Sequence, residues 1–155
     1  MKSPTTKLQK HCDALIQQIG KLKWPHSLIS GLPTQVIHHF HPKSVSNALR
    51  YDWANLVPLT NGEHMRHHQA GDPAIHGAVI QKRGKKWHDT LLKRRWQESV
   101  KTDKAYYMNV KIKLEKEIES ILYLNSLVIG RNLETSQAFF GRDGLIVRFN
   151  PEGLA

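Results

Sequence analysis

Histidine is the residue whose number and spacing first indicate chemistry in this chain. Seven of the ten histidines lie between His38 and His76, and most of them fall in two short segments, HHFHP at 38–42 and HMRHH at 64–68. Imidazole binds transition metals and exchanges protons near neutral pH. The clustering therefore predicts a site that holds a metal ion, transfers protons, or does both.

The spacing within the two segments predicts three ligands for one metal ion. On a helix, His64 and His68 are four residues apart and lie on one face, while His67 has a different azimuth and replaces His68 if the helix starts elsewhere. His38 adds a third imidazole. Three nitrogen ligands leave positions for a phosphate oxygen and water, and they favour zinc or nickel over magnesium as the tightest binder. We predict one divalent ion (Mg, Mn, Zn or Ni) on His38, His64 and His68.

The two neighbours His38 and His39 can have different functions. Consecutive residues of a strand point to opposite faces, so His38 can bind metal while His39 takes a proton from an attacking water. We therefore predict His39 as the general base. Asn55 is a candidate for fixing the loop that carries His39, through the hydrogen bonds of its amide.

A hairpin and a helix must position these residues. The β-prone runs 26–30 and 34–40 are separated by the turn signal Gly31-Leu-Pro33, which predicts a two-stranded antiparallel hairpin with the histidine pair at the end of its second strand. The segment 48–59 suits irregular structure with a short extended piece. A helix over 63–68 follows, with Asn61 as a candidate cap.

The remaining elements are predicted to be mainly helical. Apolar residues at helical spacing, Cys12 among them as a buried small side chain, predict a helix over 5–22. Further helices are expected over 75–82, 86–99 and 103–123, with Trp87 and Trp96 in the core, and a short strand or hairpin within 139–147. The prediction is one α+β domain over 1–155. It comprises an N-terminal helix (5–22), a core (26–70), a basic helical extension (75–123) and a tail (130–155).

The core resembles the HNH (ββα-metal) endonucleases, which include phage-encoded recombination-associated nucleases and the nuclease domains of DNA-cleaving colicins. The resemblance covers about residues 26–70. It rests on the His-His pair, an Asn sixteen residues after His39, and a His-x3-His that begins nine residues after Asn55. It implies a ββα-metal core, one-metal cleavage of phosphodiester bonds, His38, His64 and His68 as ligands, His39 as base, and Asn55 as the family asparagine.

One departure from that family concerns a second metal. Many of its members flank the core with two CxxC pairs that bind a structural zinc. The corresponding positions here are Ser27/Ser30 and Thr60/Glu63, which keep the spacing without thiols. We therefore expect no structural zinc, and a core held by packing of the N-terminal helix, Trp24 and Trp53.

The charge of the chain favours a polyanionic partner. Its net charge is +10, and a positive field of this size attracts nucleic acid. DNA is favoured over RNA by the resemblance to HNH nucleases. Arg50 has an alternative role in a pair with Asp52, and His41 is a further candidate for touching the phosphate. The predicted nucleic-acid contacts are Arg50, Arg66, Lys82, Arg83, Lys85, Lys86, Lys93, Arg94 and Arg95.

Three functions remain open at this point. The first is an endonuclease. The second is a non-catalytic HNH-like DNA-binding module with a protein partner in recombination or repair. The third is a hydrolase of small substrates, although the sequence has no Gly-x-Ser-x-Gly elbow or Walker loop. The single cysteine, the absence of a signal-peptide core and the absence of a long apolar run favour a cytoplasmic protein with no membrane partner. The resemblance to HNH nucleases implies a bacterial or phage-encoded protein.

Overall fold

The computed structural model describes residues 4–69 and 72–138, and it confirms an α+β architecture dominated by helix. The chain divides into two units, Met1–Ile118 and Glu119–Ala155. The first contains the sheet and every candidate site residue. The predicted strand or hairpin at 139–147 lies outside the described residues. The elements in chain order are α1 (Pro4–Lys23), β1 (Val36–His39), β2 (Leu56–Leu59), α2 (Asn61–Gln69), α3 (Pro73–Arg83), α4 (Lys85–Gln97) and α5 (Lys104–Ala138).

The predicted N-terminal helix is confirmed as α1, and it lies directly against the sheet. Proline at its first position is favourable because the first amide of a helix has no intrahelical partner. Cys12 is fully buried, as predicted, and its thiol donates to the Tyr107 carbonyl at 3.6 Å. A Cβ atom at Gly20 would lie 2.5 Å from Cγ1 of Ile37 in β1. Glycine therefore permits the close approach of α1 to the strand that carries the histidine pair.

The predicted pairing of the strands is wrong. β1 pairs antiparallel with β2, with His38 opposite Val57 and His39 opposite Leu56, whereas the run 26–30 contributes only an isolated bridge from His26 to Pro33. The run 26–30 closes on itself instead, since Ser27 N donates to the Leu32 carbonyl at 2.7 Å. All four residues of β2 are buried, so pairing with β2 removes more apolar surface from water than the local hairpin would.

On the side of the sheet away from α1, the core is built from β2, the loop before it, α3 and α4. Trp24 and Trp53 also pack edge to face, with ring centroids 5.6 Å apart, which agrees with the packing expected at the N-terminal helix. These contacts fix the position of the sheet. The buried cluster is formed by Phe40, Leu49, Val57, Leu59, Val79 and Leu91.

The start of α2 is fixed by Thr60 and Glu63, and the predicted cap at Asn61 is wrong because Asn61 is already helical. Glu63 N donates to Thr60 Oγ1 at 3.2 Å, and Thr60 N donates to Glu63 Oε2 at 2.7 Å. This reciprocal pair is a capping box. Its hydrogen bonds satisfy two backbone amides at the N-terminal end of α2, the helix that carries His64.

Ser27, Ser30, Thr60 and Glu63, the positions compared above with CxxC pairs, form one hydrogen-bonded cluster. Ser27 Oγ donates to Glu63 Oε2 at 2.6 Å, and both side chains are buried. Burial raises the pKa of Glu63, but hydrogen bonds from Ser27, Thr60 and Ser30 together hold that pKa below its ordinary value. A charged carboxylate thus ties the segment around Ser27 and Ser30 to the start of α2.

The helical extension follows the predicted order with two differences. Gly84, at φ +91°, separates α3 from α4, but α5 runs well past the predicted end at 123. Trp87 packs against the core, whereas Trp96 is 73% exposed, so its predicted core position is wrong. Among the described residues, none of the helices has the length and apolarity that a membrane span requires.

Candidate active site

Three histidine rings meet where β1 faces α2. His38 is only 3% exposed. Its ring centroid lies 5.2 Å from that of His64 and 4.7 Å from that of His67, in edge-on arrangements. The strand therefore brings its predicted ligand against the helix that carries the others. The sequence predicted a place for His67 in this group only if the helix started at a different residue.

The predicted third ligand, His68, belongs to α2, but its side chain lies outside the described part of the structure. Among the side chains that are described, no three His, Cys, Asp or Glu form a metal-holding group. His38 and His64 bring two imidazoles close together in a buried setting. Nitrogen donors of this kind suit zinc, nickel or a related transition ion, so the donor set at this position fits the predicted ion.

His39 is separated from the ring cluster by the alternation of the strand. Its Nε2 lies 2.8 Å from the carbonyl oxygen of Arg50. A carbonyl can only accept, so this hydrogen bond places the ring proton on Nε2 and leaves Nδ1 with its lone pair. Burial, aided by the positive charge of Lys43, lowers the pKa of His39 to about 4 against a smaller opposing effect of that hydrogen bond. The ring is therefore neutral at pH 7.

Asn55 ties together the loop that follows the histidine pair. It is fully buried. Its Oδ1 accepts from His41 N at 2.8 Å, and its Nδ2 donates to the carbonyls of His41 at 3.0 Å and Leu49 at 3.1 Å. These are the loop-fixing amide hydrogen bonds that the sequence predicts. Asn55 acts on the backbone next to His39 and makes no described contact with its ring.

A cleft of about 670 Å³ opens over the histidines. His38, His39 and His64 line it from the strand and from α2, and Asp13 and Gln17 line it from α1. Lys43, whose side chain is 43% exposed and whose Nζ lies 3.5 Å from Asp13 Oδ2, also borders it. The cleft thus combines candidate ligands, a candidate base and a cation, which is a suitable set for binding and hydrolysing a phosphate ester.

Sequence reasoning missed the contribution of α1 to this cleft. Neither Asp13 nor Gln17 belongs to a recognisable motif, and their partners lie 20 or more residues away along the chain. It also missed the burial of His41, a predicted candidate for touching the phosphate, which is only 5% exposed. Aromatic side chains surround His41, and the high histidine content of the chain was the only feature of the sequence that indicated this group. That group contains Phe40, His76 and His88, and the rings of Phe40 and His76 stack at 4.6 Å.

The arginines among the predicted nucleic-acid contacts are engaged within the chain. Arg50 pairs with Asp13, so the predicted alternative pair with Asp52 is wrong. Asp52 instead contacts Arg94 at 2.6 Å, and Arg66 pairs with Asp72. Arg83 donates to the Leu56 carbonyl at 3.1 Å, and the guanidinium of Arg95 lies 4.9 Å from the Trp96 ring.

The predicted lysines are all exposed, whereas among these arginines only Arg66 is exposed. Lys85 is exposed and pairs with Asp89 at 2.7 Å. Lys82, Lys86 and Lys93 are exposed, and no ion pair is recorded for them with any described residue. The exposed positive charge that a polyanion can reach on α3 and α4 is therefore carried mainly by lysine.

Comparison of the chain with protein-family models, curated proteins and solved structures found no match. The resemblance to HNH nucleases consequently rests on the residues of the chain itself. The arrangement of the histidines in the cleft is the further observation that bears on the function of the protein.

Proposed function

We propose that this protein is a metal-dependent endonuclease that hydrolyses phosphodiester bonds in DNA. The observation that carries the proposal is the division between two adjacent residues. His38 lies buried against His64, while His39 is held by the Arg50 carbonyl in the same cleft. The order strand, strand, helix supports the family resemblance, although the strand that pairs with β1 is β2 and not the predicted run 26–30.

In the proposed reaction the chain positions a water molecule and removes its proton. His39 accepts that proton on Nδ1 while Nε2–H stays bonded to the Arg50 carbonyl, so the ring keeps its orientation as it becomes charged. The water oxygen attacks phosphorus, and the bond to the leaving sugar oxygen breaks. A divalent ion bound by His38, His64 and His68 would stabilise the negative charge on the phosphate and the leaving oxygen.

Nicking of supercoiled plasmid tests this proposal. The protein is assayed with Mg, Mn, Ni and Zn beside His39→Ala and, as a matched control, His26→Ala at an exposed position away from the cleft. Loss of a general base should lower the rate by about 10² to 10⁴, and the control should nick as the wild type does. Equal nicking by His39→Ala would remove the proposed base.

The same assay separates the endonuclease from a non-catalytic DNA-binding module. Salt-dependent DNA binding without nicking under any of the four metals would favour the module. Each variant is purified by the same route so that their nicking rates can be compared directly.

A further inference from the structure

The carboxylate of Asp13 holds the residue that orients His39. Asp13 Oδ1 and Oδ2 accept from Arg50 Nε at 3.1 Å and Arg50 Nη2 at 2.6 Å. Tyr51 Oη donates to the same carboxylate at 3.1 Å. The Arg50 side chain is only 13% exposed, so this two-point ion pair is shielded from solvent and geometrically specific.

Arg50 therefore connects α1 with the candidate base. Its guanidinium is fixed by Asp13, and its carbonyl oxygen accepts the Nε2 proton of His39 at 2.8 Å. A shift of the Arg50 backbone would change the direction or strength of that hydrogen bond. The ion pair engages Nε and Nη2 of Arg50, which lie on one side of its guanidinium, so Arg50 has a defined partner within the chain.

A second residue of α1 acts on the strand itself. Gln17 lies one turn after Asp13, and its amide bonds both backbone groups of Ile37: Nε2 donates to the carbonyl at 2.6 Å, and Oε1 accepts from the amide at 2.9 Å. The side chain thus satisfies the edge of β1 as a third strand would. One face of α1 consequently fixes the backbone on both sides of the hydrogen bond that orients His39.

We propose that Asp13 is a positioning residue for His39, acting through the Arg50 carbonyl. This inference rests on the proposed nuclease function for its catalytic consequence. Its structural part, the fixed ring of His39, stands on the hydrogen bonds alone. Asp13 is not expected to touch the substrate phosphate, because its negative charge would repel it.

Steady-state cleavage of an oligonucleotide duplex by the full chain tests the catalytic part. Asp13→Asn keeps the shape of the side chain and removes its charge. We expect kcat to fall about tenfold to a hundredfold, the scale of a misplaced catalytic group, with KM within about twofold of the wild type. Asp13→Glu should recover part of the loss. Glu115→Gln is the matched control, because it removes a carboxylate that links α1 to α5 through His11 outside the cleft.

The ¹⁵N signals of the His39 ring, assigned with His39→Gln, test the structural part without metal or substrate. The wild type should show one tautomer with the proton on Nε2, and Asp13→Asn should show a mixture or broadened signals. An unchanged kcat, a change confined to KM, or an equal loss in Glu115→Gln would overturn the proposal. If the wild type cleaves nothing, the nuclease function fails while the ring signals still decide whether Asp13 positions His39.

Discussion

At the scale of single residues, the different surroundings of His38 and His39 were predictable from strand alternation, because neighbouring side chains point to opposite faces. The partners of these side chains were not. The acceptor of the His39 hydrogen bond is the backbone carbonyl of Arg50. Because every residue has a backbone carbonyl, the sequence of the chain does not indicate which one His39 contacts. Asn55 was identified by its place in a motif, and its three hydrogen bonds explain why a buried amide suits that position.

His41 gives a residue-scale prediction about pH. Burial, aided by the charges of Arg95, His88 and His76, lowers its pKa to about 4, whereas an unfolded histidine titrates near 6.5. Between these values the unfolded chain binds more protons, so the free energy of unfolding falls as the pH falls from about 6.5 to about 4. We expect His41 to contribute on the order of 1 to 2 kcal/mol to this fall, allowing for partial solvent screening.

Urea unfolding at pH 7 and at pH 4.5 measures that contribution. The loss of stability between the two pH values should be smaller in His41→Gln than in the wild type, since the remaining titrating groups are common to both. His26→Gln, at an exposed position, should retain the wild-type pH dependence. An unchanged pH dependence in His41→Gln would show that His41 is not the group responsible.

At the scale of elements, the helices were predictable and the strand pairing was not. Periodic apolar residues such as Cys12, Ile16 and Ile19 identify α1 locally. Pairing of β1 depends on competition between a nearby run and the distant β2. β1 pairs with the distant β2 because β2 is wholly buried and because the run 26–30 closes its own loop. Neither fact can be predicted from a window of adjacent residues. The contact of Gly20 with Ile37 is likewise tertiary.

The cluster of Ser27, Ser30, Thr60 and Glu63 gives an element-scale prediction. Hydrogen bonds already bring these four positions together around the Glu63 carboxylate. Four thiolates at such positions form a tetrahedral zinc site when their side chains converge. We therefore expect the quadruple variant S27C/S30C/T60C/E63C to bind one zinc ion per chain, with a midpoint of thermal unfolding that a chelator lowers.

Two comparisons make this prediction specific. The double variant S27C/S30C retains only one thiol pair and should bind zinc more weakly than the quadruple variant. The wild type should show no chelator-dependent shift that arises from this cluster. Failure of the quadruple variant to take up stoichiometric zinc under reducing conditions would mean that the four side chains do not converge as the hydrogen bonds indicate.

At the scale of the whole molecule, net charge predicted an affinity for polyanions but could not say which cations are available. Arg50 and Arg94 are engaged by carboxylates far away in sequence, and Arg66 by a carboxylate six residues further along the chain. Which basic residue pairs internally is a result of folding. On α3 and α4 the exposed members of the predicted surface are consequently lysines, and the exposed Arg66 on α2 is paired with Asp72.

Salt-dependent DNA binding tests that assignment at the scale of the whole molecule. Each phosphate contact contributes about 0.9 to the slope of log K against log salt. If Lys82, Lys86 and Lys93 contact phosphates, the triple variant K82Q/K86Q/K93Q should bind duplex DNA more weakly and lose up to about 3 units of slope. The triple variant K7Q/K21Q/K104Q removes the same charge at exposed positions of α1 and α5. It should lose much less slope, because only local contacts release counterions. Equal losses in the two variants would mean that total charge, and not this surface, determines binding.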